Sequence, residues 1–315
     1  MTGVSVLEVE GLTVRFRVPR GAVQALTDVT FSLGRGEILT VVGESGSGKT
    51  VLAHAITRLL PLNAEVTGRV RLDGEDVLAL SEAAMQRLRA RRLALIPQSP
   101  GAALNPVRRV GPLLLEIARV RGLPRDEARA RLGGALRELG LAFDAVAGRY
   151  PHQLSGGMQQ RVVNAAAMAA APDVVIADEP THGLDADLVE TTARQLQAIA
   201  AHGAALLVIT HDLRLARRLG GRTAVVYASY LVELRPAEGF FTGPAHPYGR
   251  ALLRAMPEHG GVPIPGLSPE LTALPRGCPF APRCPDRAPV CEEAVPPPAP
   301  LPDGGMVRCA VHAGG

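Results

Sequence analysis

The chain has 315 residues, of which 47% are hydrophobic, and a formal net charge of +4. This composition excludes a disordered polar chain, and no apolar run approaches the roughly 18–20 residues of a membrane-spanning helix. The small, dispersed positive charge favours an ordinary arginine-rich surface, so we expect no nucleic-acid partner. Since the first residues lack the basic-then-apolar order of a signal peptide, we expect the chain to stay in the cytoplasm.

Strands and helices alternate along the first three quarters of the chain. Period-two patterns predict half-buried strands at 4–18, 29–33 and 69–74. Leucine and alanine recur at helical spacing from Ser81, a predicted N-cap, to about Gly148, with a break at 122–124. Buried strands are predicted at 174–177 and 205–209, and a helix at 188–201 lies between them. This alternation indicates a parallel sheet covered by helices. Prolines accumulate beyond residue 245, and those between 296 and 302 predict a stiff linker.

A glycine-rich motif lies between an apolar strand at 37–42 and a predicted helix at 51–60. Of the 34 lysine and arginine residues only Lys49 is a lysine, and it falls in the pattern GxxxxGK(S/T). Glycines let backbone N–H groups approach phosphate, a compact ammonium reaches the β- and γ-phosphates, and a hydroxyl can bind Mg²⁺. The alternative, a chance glycine-rich turn, does not explain the flanking strand and helix. We therefore predict a P-loop formed by Gly43, Glu44, Ser45, Gly46, Ser47, Gly48, Lys49 and Thr50, with Thr50 as a Mg²⁺ ligand.

Two carboxylates follow the apolar strand at 174–177 directly. Ligands bind at the carboxyl edge of the strands in open α/β sheets. We expect Asp178 to hold Mg²⁺ and Glu179 to act as general base toward an attacking water.

A second candidate anion site precedes these acids, in the segment 154–161. Ser155, Gly156 and Gly157 open a predicted helix, where unpaired N–H groups and the positive end of the helix dipole are exposed. In isolation an ordinary N-cap would explain them. Together with the P-loop, the segment, which reads LSGGMQQR, resembles the LSGGQ-like signature of the ATP-binding cassette (ABC) ATPases.

The resemblance implies an α/β fold of the ABC-type P-loop ATPases. Its nucleotide-binding domain, residues 1–245, would have a RecA-like parallel core, an N-terminal antiparallel β subdomain and an α-helical subdomain at about 81–160; a Cys- and Pro-rich extension, 246–315, would follow. ATP would lie between the P-loop of one subunit and the signature of another. Further residues match family motifs: Gln98 of the Q-loop, which senses Mg²⁺ and water, Asp185 of the D-loop, the switch histidine His211, and Phe16 for adenine stacking.

Three segments narrow the resemblance to the oligopeptide, dipeptide and nickel group of ABC importers: Asn105-Pro106, the segment 243–248 with its His-Pro-Tyr sequence, and the cysteine-containing tail. The chain departs from the usual sequence of this group at His182, Gly221 and 229–231. None of these departures affects the phosphate-binding motifs. The resemblance implies an importer ATPase on the cytoplasmic face of the membrane, with two permeases, a second identical or similar ATPase and an extracytoplasmic binding protein. The implied solute is a dipeptide or oligopeptide; nickel or a metallophore is the alternative. A soluble ABC ATPase outside any transporter is the competing class.

All four cysteines lie in the tail, at Cys278, Cys284, Cys291 and Cys309. A reducing cytoplasm argues against disulfides. Zinc ligands usually occur as Cys-x₂₋₄-Cys pairs, which the tail lacks, whereas four widely spaced thiolates suit a 4Fe–4S cluster, as the resemblance also implies. Zinc and free thiols remain the alternatives. We expect the tail to have a structural role, apart from the ATP chemistry.

Overall fold

The computed structural model describes residues 5–19, 21–169, 171–181 and 186–312. Within these ranges twelve strands are present: β1 Ser5–Val18, β2 Gly21–Gly34, β3 Ile38–Val42, β4 Ala64–Leu72, β5 Glu75–Asp76, β6 Leu93–Ile96, β7 Val174–Asp178, β8 Ala205–Thr210, β9 Arg222–Tyr227, β10 Tyr230–Pro236, β11 Ala299–Pro300 and β12 Met306–Val307.

The same ranges contain twelve α-helices: α1 Lys49–Thr57, α2 Glu82–Arg91, α3 Pro100–Ala103, α4 Val110–Val120, α5 Arg125–Glu138, α6 Phe143–Ala147, α7 Gly156–Ala169, α8 Ala186–Ala201, α9 Leu213–Leu219, α10 Ala237–Thr242, α11 Pro247–Arg254 and α12 Val290–Glu293. Among the described residues, none of these helices is both long and apolar enough to cross a bilayer.

The core is a parallel sheet in the order β9-β3-β8-β7-β6. Every residue of β7 and β8 is buried, as expected for strands that helices cover on both faces. The strands predicted at 37–42, 174–177 and 205–209 are thereby confirmed to within one residue at each end. The prediction of helix from Ser81 to about Gly148 is wrong at 93–96. These residues form the strand β6, which pairs in parallel with β7.

An antiparallel β unit lies at the N-terminal side of the core. β1 pairs with β2 and with β4, and a single pairing, Tyr230 with Thr27, joins β2 to β10 of the larger sheet. Apolar residues along β1, such as Val9 and Leu12, are fully buried against α1 and the parallel strands. The predicted strand at 29–33 is therefore the second half of the longer strand β2.

Helices α4, α5 and α6 pack with α7 into a helical layer around Leu114, Leu132 and Leu136, all of which are buried. The hydroxyl of Ser81 accepts the Ala84 N–H at 3.3 Å, which confirms the predicted N-cap of α2. The predicted break also exists: α4 ends at Val120, and α5 begins at Arg125.

The residues after β10 pack onto the core sheet. Tyr227 and Tyr248 share a buried cluster with Phe240 and Phe280. The prediction of a stiff linker is wrong, because β11 pairs with β12 and β12 pairs with β10. The buried guanidinium of Arg308 fixes this hairpin by donating to the Asp28 carbonyl at 3.0 Å.

Candidate active site

The P-loop joins β3 to α1, and its glycines are required by close contacts. A Cβ at Gly43 would lie 2.1 Å from the Val226 carbonyl oxygen, and one at Gly48 would lie 2.1 Å from that of Ala25. Both glycines have positive φ angles, +153° and +107°. The loop therefore folds tightly against two neighbouring strands, in a form that only glycine permits at these positions.

Lys49 begins α1 and its side chain turns back into the loop. Nζ donates to the carbonyl oxygens of Gly43 at 2.8 Å and Glu44 at 2.9 Å. Burial lowers the pKa of the ammonium, and nearby carboxylates oppose that shift. The ammonium is thus held where it can reach the phosphates of a nucleotide cradled by the loop.

Thr50 and Asp178, each a predicted Mg²⁺ ligand, lie close together. The Thr50 hydroxyl donates to Asp178 Oδ1 at 3.3 Å. Burial raises the pKa of Asp178; the charge of Glu179 adds to the shift and the Thr50 hydroxyl opposes it. A hydroxyl and a carboxylate are oxygen ligands of the kind that Mg²⁺ prefers, so this pair fits the predicted Mg²⁺ role.

Glu179 and His211 meet at the ends of the adjacent strands β7 and β8. Glu179 Oε2 lies 2.7 Å from His211 Nδ1 and accepts the His211 backbone N–H at 3.3 Å. Because a carboxylate only accepts, His211 carries a proton on Nδ1 in this contact. Glu179 has φ +48° and donates its own N–H to Ile209 at 2.7 Å. These contacts fix the position of the Glu179 carboxylate at the end of β7.

The signature segment lies open on the surface. Ser155 caps α7 by accepting the Met158 N–H on its hydroxyl at 3.3 Å. A Cβ on Gly156 or Gly157 would meet no heavy atom within 4 Å. The amino end of α7 is therefore accessible to a second molecule.

Other predicted residues are less closely tied to the P-loop. Gln98 follows β6 at the edge where Asp178 and Glu179 follow β7, because Ile96 pairs with Ala177. Phe16 is half-buried on β1 and packs against the buried apolar cluster that includes Val9 and Leu12. Its proposed role in stacking on adenine stays a prediction. Asp185, like the departure noted at His182, lies outside the described residues.

The sequence analysis missed one contact of the site, which comes from the C-terminal tail. Arg283 donates to both carboxylate oxygens of Glu44, at 2.8 and 3.0 Å, and the Tyr248 hydroxyl accepts the Glu44 N–H at 2.8 Å. The expectation that the tail lies apart from the ATP chemistry is wrong in this respect. No sequence signal links Glu44 to a residue 239 positions away; a carboxylate within a phosphate-binding loop was the available hint.

The four cysteines come together around one small cavity, which His246 and Phe280 also line. The N–H of Cys278 donates to the Cys291 carbonyl at 2.8 Å. Burial raises the pKa of the Cys278 thiol to about 11, and it raises that of Cys284 as well. Across the described ranges, no group of three or more His, Cys, Asp or Glu side chains is arranged to bind a single metal ion.

Known proteins resemble the chain in both sequence and fold. Residues 26–182 match the family described as ABC transporter, and residues 232–291 match the C-terminal region of oligopeptide/dipeptide transporters. A probable D,D-dipeptide transport ATP-binding protein of Escherichia coli is 42% identical, with 91% of this chain and 90% of that protein covered. The dipeptide transport ATP-binding protein DppD of Bacillus subtilis is 38% identical, with 96% and 94% covered.

Solved structures agree with this result. The ATP-binding cassette MJ0796, solved as a dimer bound to ADP and phosphate, superposes with a TM-score of 0.65 and 25% identity over 73% of this chain and 98% of that one. The CbiO1 protein of Clostridium perfringens gives a TM-score of 0.65 at 25% identity, over 76% and 91%.

A P-loop on a parallel sheet, with carboxylates at the ends of the strands and a signature helix, defines an ATP-hydrolysing protein of the ABC class. The chain belongs to the ABC transporter family, among the ATP-binding proteins of its oligopeptide and dipeptide group.

Proposed function

We propose that this chain is the ATP-hydrolysing subunit of an importer for dipeptides or oligopeptides. The observation that carries the proposal is its similarity, over nine tenths of its length, to proteins named for dipeptide and oligopeptide transport. The tail supports the same solute class, because residues 232–291 match a region described for oligopeptide and dipeptide transporters. A nickel importer and an ABC ATPase outside any transporter have no comparable support.

In the proposed mechanism each residue of the site has a step in hydrolysis. The P-loop amides and Lys49 bind the β- and γ-phosphates, and Thr50 and Asp178 are placed to hold Mg²⁺, which would neutralise phosphate charge. Glu179 takes a proton from the attacking water, and His211 keeps its carboxylate oriented. Gln98, at the same edge of the sheet, is suited to sense the water and the ion.

A second ATPase subunit would complete each site. The exposed Ser155 and the uncovered glycines of the signature offer N–H groups and a helix dipole to an anion that another chain holds. MJ0796, a relative in fold, is described as a dimer. In the proposed pair, two ATP molecules lie between the P-loop of one subunit and the signature of the other.

A groove between α2 and α4 is suited to a permease. It has a volume of about 360 Å³, and its lining combines apolar side chains, including Leu113 and Val120, with three arginines and with Glu116, which pairs with Arg108. One terminal nitrogen of Arg121, Nη1, is buried without a hydrogen-bond partner in the described part of the chain. An amphipathic permease helix with an acidic residue would fill this groove. The subunit would then bind two permeases at the cytoplasmic face of the membrane, and an extracytoplasmic binding protein would deliver the solute.

We also propose that the tail cysteines hold a 4Fe–4S cluster. The proposal is supported by the four thiols lining one cavity, since a 4Fe–4S cluster takes one cysteine for each iron. Protein purified without oxygen should be brown and contain about four irons per chain. A colourless preparation with stoichiometric zinc, or one with no metal, would contradict the cluster and favour zinc or free thiols.

Reconstitution tests the transport proposal. The chain, its partner ATPase and the permeases encoded near it are placed in vesicles with the binding protein. We expect dipeptides or oligopeptides to stimulate ATP hydrolysis and to be taken up, and Glu179→Gln to abolish both. Stimulation by a nickel chelate and not by peptides would favour the metal importer, whereas ATPase activity without any permease association would favour the soluble class.

A further inference from the structure

Glu44 places a carboxylate in a loop that must bind a polyanion. The P-loop uses backbone N–H groups and Lys49 to hold phosphates, and a negative charge beside them weakens that binding. The chain therefore needs a means to neutralise this carboxylate or to turn it away.

The tail supplies the neutralising charge. The guanidinium of Arg283 forms a two-pronged ion pair with both oxygens of Glu44, and the Ser268 hydroxyl donates to one of them at 2.6 Å. The Arg283 side chain is 5% exposed and that of Glu44 is 30% exposed, so water screens the pair only in part. Burial acts to raise the pKa of Glu44, but Arg283 and Ser268 outweigh burial and the pKa lies below its usual value.

Arg283 is itself held rigidly. Its Nε donates to the Pro265 carbonyl at 2.8 Å, and Nη1 donates to the Tyr227 hydroxyl at 3.1 Å. The guanidinium also lies 6.0 Å from the Phe280 ring centroid. A planar fork fixed in this way presents both pairs of N–H groups to one carboxylate, which a lysine could not do.

Tyr248 holds the main chain of the same P-loop residue. Its buried hydroxyl accepts the Glu44 N–H at 2.8 Å, and its ring centroid lies 4.5 Å from that of Tyr227. The segment before Tyr248 is anchored by the buried carboxylate of Glu233, which accepts the His246 N–H at 2.9 Å. The tail thus forms hydrogen bonds with both the side chain and the backbone of Glu44.

We propose that the C-terminal extension is a positioning element of the ATP site: Arg283 neutralises Glu44 and keeps it away from the phosphates, while Tyr248 fixes the backbone of the loop. The inference deepens the proposed function by assigning the tail a part in nucleotide affinity. It rests on ATP binding at the P-loop and is independent of the transported solute. Arg283 acts through Glu44 and does not itself contact the nucleotide.

The test measures the Kd of a fluorescent ATP analogue for the full chain. Arg283→Ala should raise Kd about tenfold or more, the scale of lost charge-assisted hydrogen bonds. Glu44→Gln alone is the reference for the double variant, which should recover most of the loss caused by Arg283→Ala, because no unpaired carboxylate remains. Arg287→Ala is the matched control, since this tail arginine pairs with Glu292 at an exposed site.

If Glu44→Gln restores nucleotide binding to Arg283→Ala, then Arg283 acts by positioning Glu44. A folding defect caused by the loss of Arg283 would not be repaired by the second substitution. Arg283→Lys, which keeps the charge, should fall between the parent and Arg283→Ala. An unchanged Kd in Arg283→Ala, or a double variant as weak as Arg283→Ala, would overturn the inference. The Kd of Lys49→Ala is measured in parallel. If this variant bound the nucleotide as tightly as the parent, the assignment of the ATP site would be wrong, which is a different failure from that of the role proposed for the tail.

Discussion

At the scale of single residues, the position of Glu179 supports its proposed role as the general base. It directly follows the buried strand β7 and has φ +48°, a left-handed conformation that residues other than glycine rarely adopt. Contacts on both sides hold this conformation, since its N–H donates to Ile209 and its carboxylate receives two hydrogen bonds from His211. Strain maintained at the end of a catalytic strand is consistent with a base that must not move.

We expect Glu179→Gln to retain ATP binding and to lower the hydrolysis rate by about 10²–10⁴-fold, the usual contribution of a general base. The substitution keeps the size of the side chain but cannot accept the proton of the water. Hydrolysis is measured in the assembled transporter, and binding is measured separately. Lys49→Ala serves as the contrast, because it should weaken binding itself; a parent-like rate in Glu179→Gln would exclude this residue as the base.

Gly43→Ala should abolish nucleotide binding and destabilise the fold, because the new methyl group would lie 2.1 Å from the Val226 carbonyl. Gly46→Ala is a matched control within the same loop: φ is also positive, at +79°, but no atom lies within 4 Å of the added Cβ. It should cost only about 1 kcal/mol of backbone strain. Thermal unfolding and nucleotide binding report both effects, and equal losses in the two variants would refute the close-contact argument.

The residues that the sequence revealed are those that belong to a local pattern. Lys49 and Glu179 could be recognised because a P-loop and an acid at a strand end need only neighbouring residues to be read. Arg283 and Tyr248 could not, because their partner Glu44 becomes adjacent only after the tail folds back over the sheet. Side-chain partners that are distant in sequence carry no periodic signal.

At the scale of elements, Asp173 joins three segments of the core. It precedes β7 and accepts from Arg35, in the turn before β3, and from Arg92, which precedes β6. Burial acts to raise the pKa of Asp173, but the two guanidinium groups outweigh burial and lower it. The stabilisation is therefore fully present above the usual carboxyl pKa near 4 and is lost as the pH falls through the lowered value.

Asp173→Asn should lower the free energy of unfolding by about 1 kcal/mol at neutral pH, a modest value because Arg35 is half-exposed. The difference from the parent should shrink as the pH is lowered below about 4 and vanish once the parent carboxylate is protonated. Denaturant titrations over this range give the measurement. Asp144→Asn, at a site 84% exposed, should change little at any pH. A deficit of Asp173→Asn that persisted in acid would show that charge is not the cause.

Elements with a long pattern were predictable, and short ones were not. The strands at 174–177 and 205–209 follow from apolar runs between helices. β6 has only four residues and lies between helical segments, so its pairing with β7 decides its conformation. The proline-rich end of the tail forms a hairpin because β12 pairs with β10 and the buried Arg308 donates to Asp28, which composition does not reveal.

At the scale of the whole molecule, the ATP site combines three parts of the chain. The parallel core supplies the P-loop and the acids, the helical layer presents Ser155, and the tail grips Glu44. Ser155 is exposed at the amino end of α7, and Ser45, Gly46 and Thr50 of the P-loop are exposed as well. Both segments are therefore accessible to a second subunit, as a shared site requires, since each chain can offer its signature to the nucleotide of the other.

The central proposal is that this chain binds one ATP through its P-loop and Lys49, hydrolyses it with Glu179 as the base, and completes the site of its partner through Ser155. Vanadate trapping of a photoreactive ATP analogue, in complexes whose two ATPase subunits differ in size, shows which P-loop holds the trapped nucleotide. With Ser155→Arg in this chain alone, we predict that trapping is lost at the partner's P-loop and retained at this chain's own. Loss at this chain's own P-loop, with normal trapping at the partner's, would contradict the account.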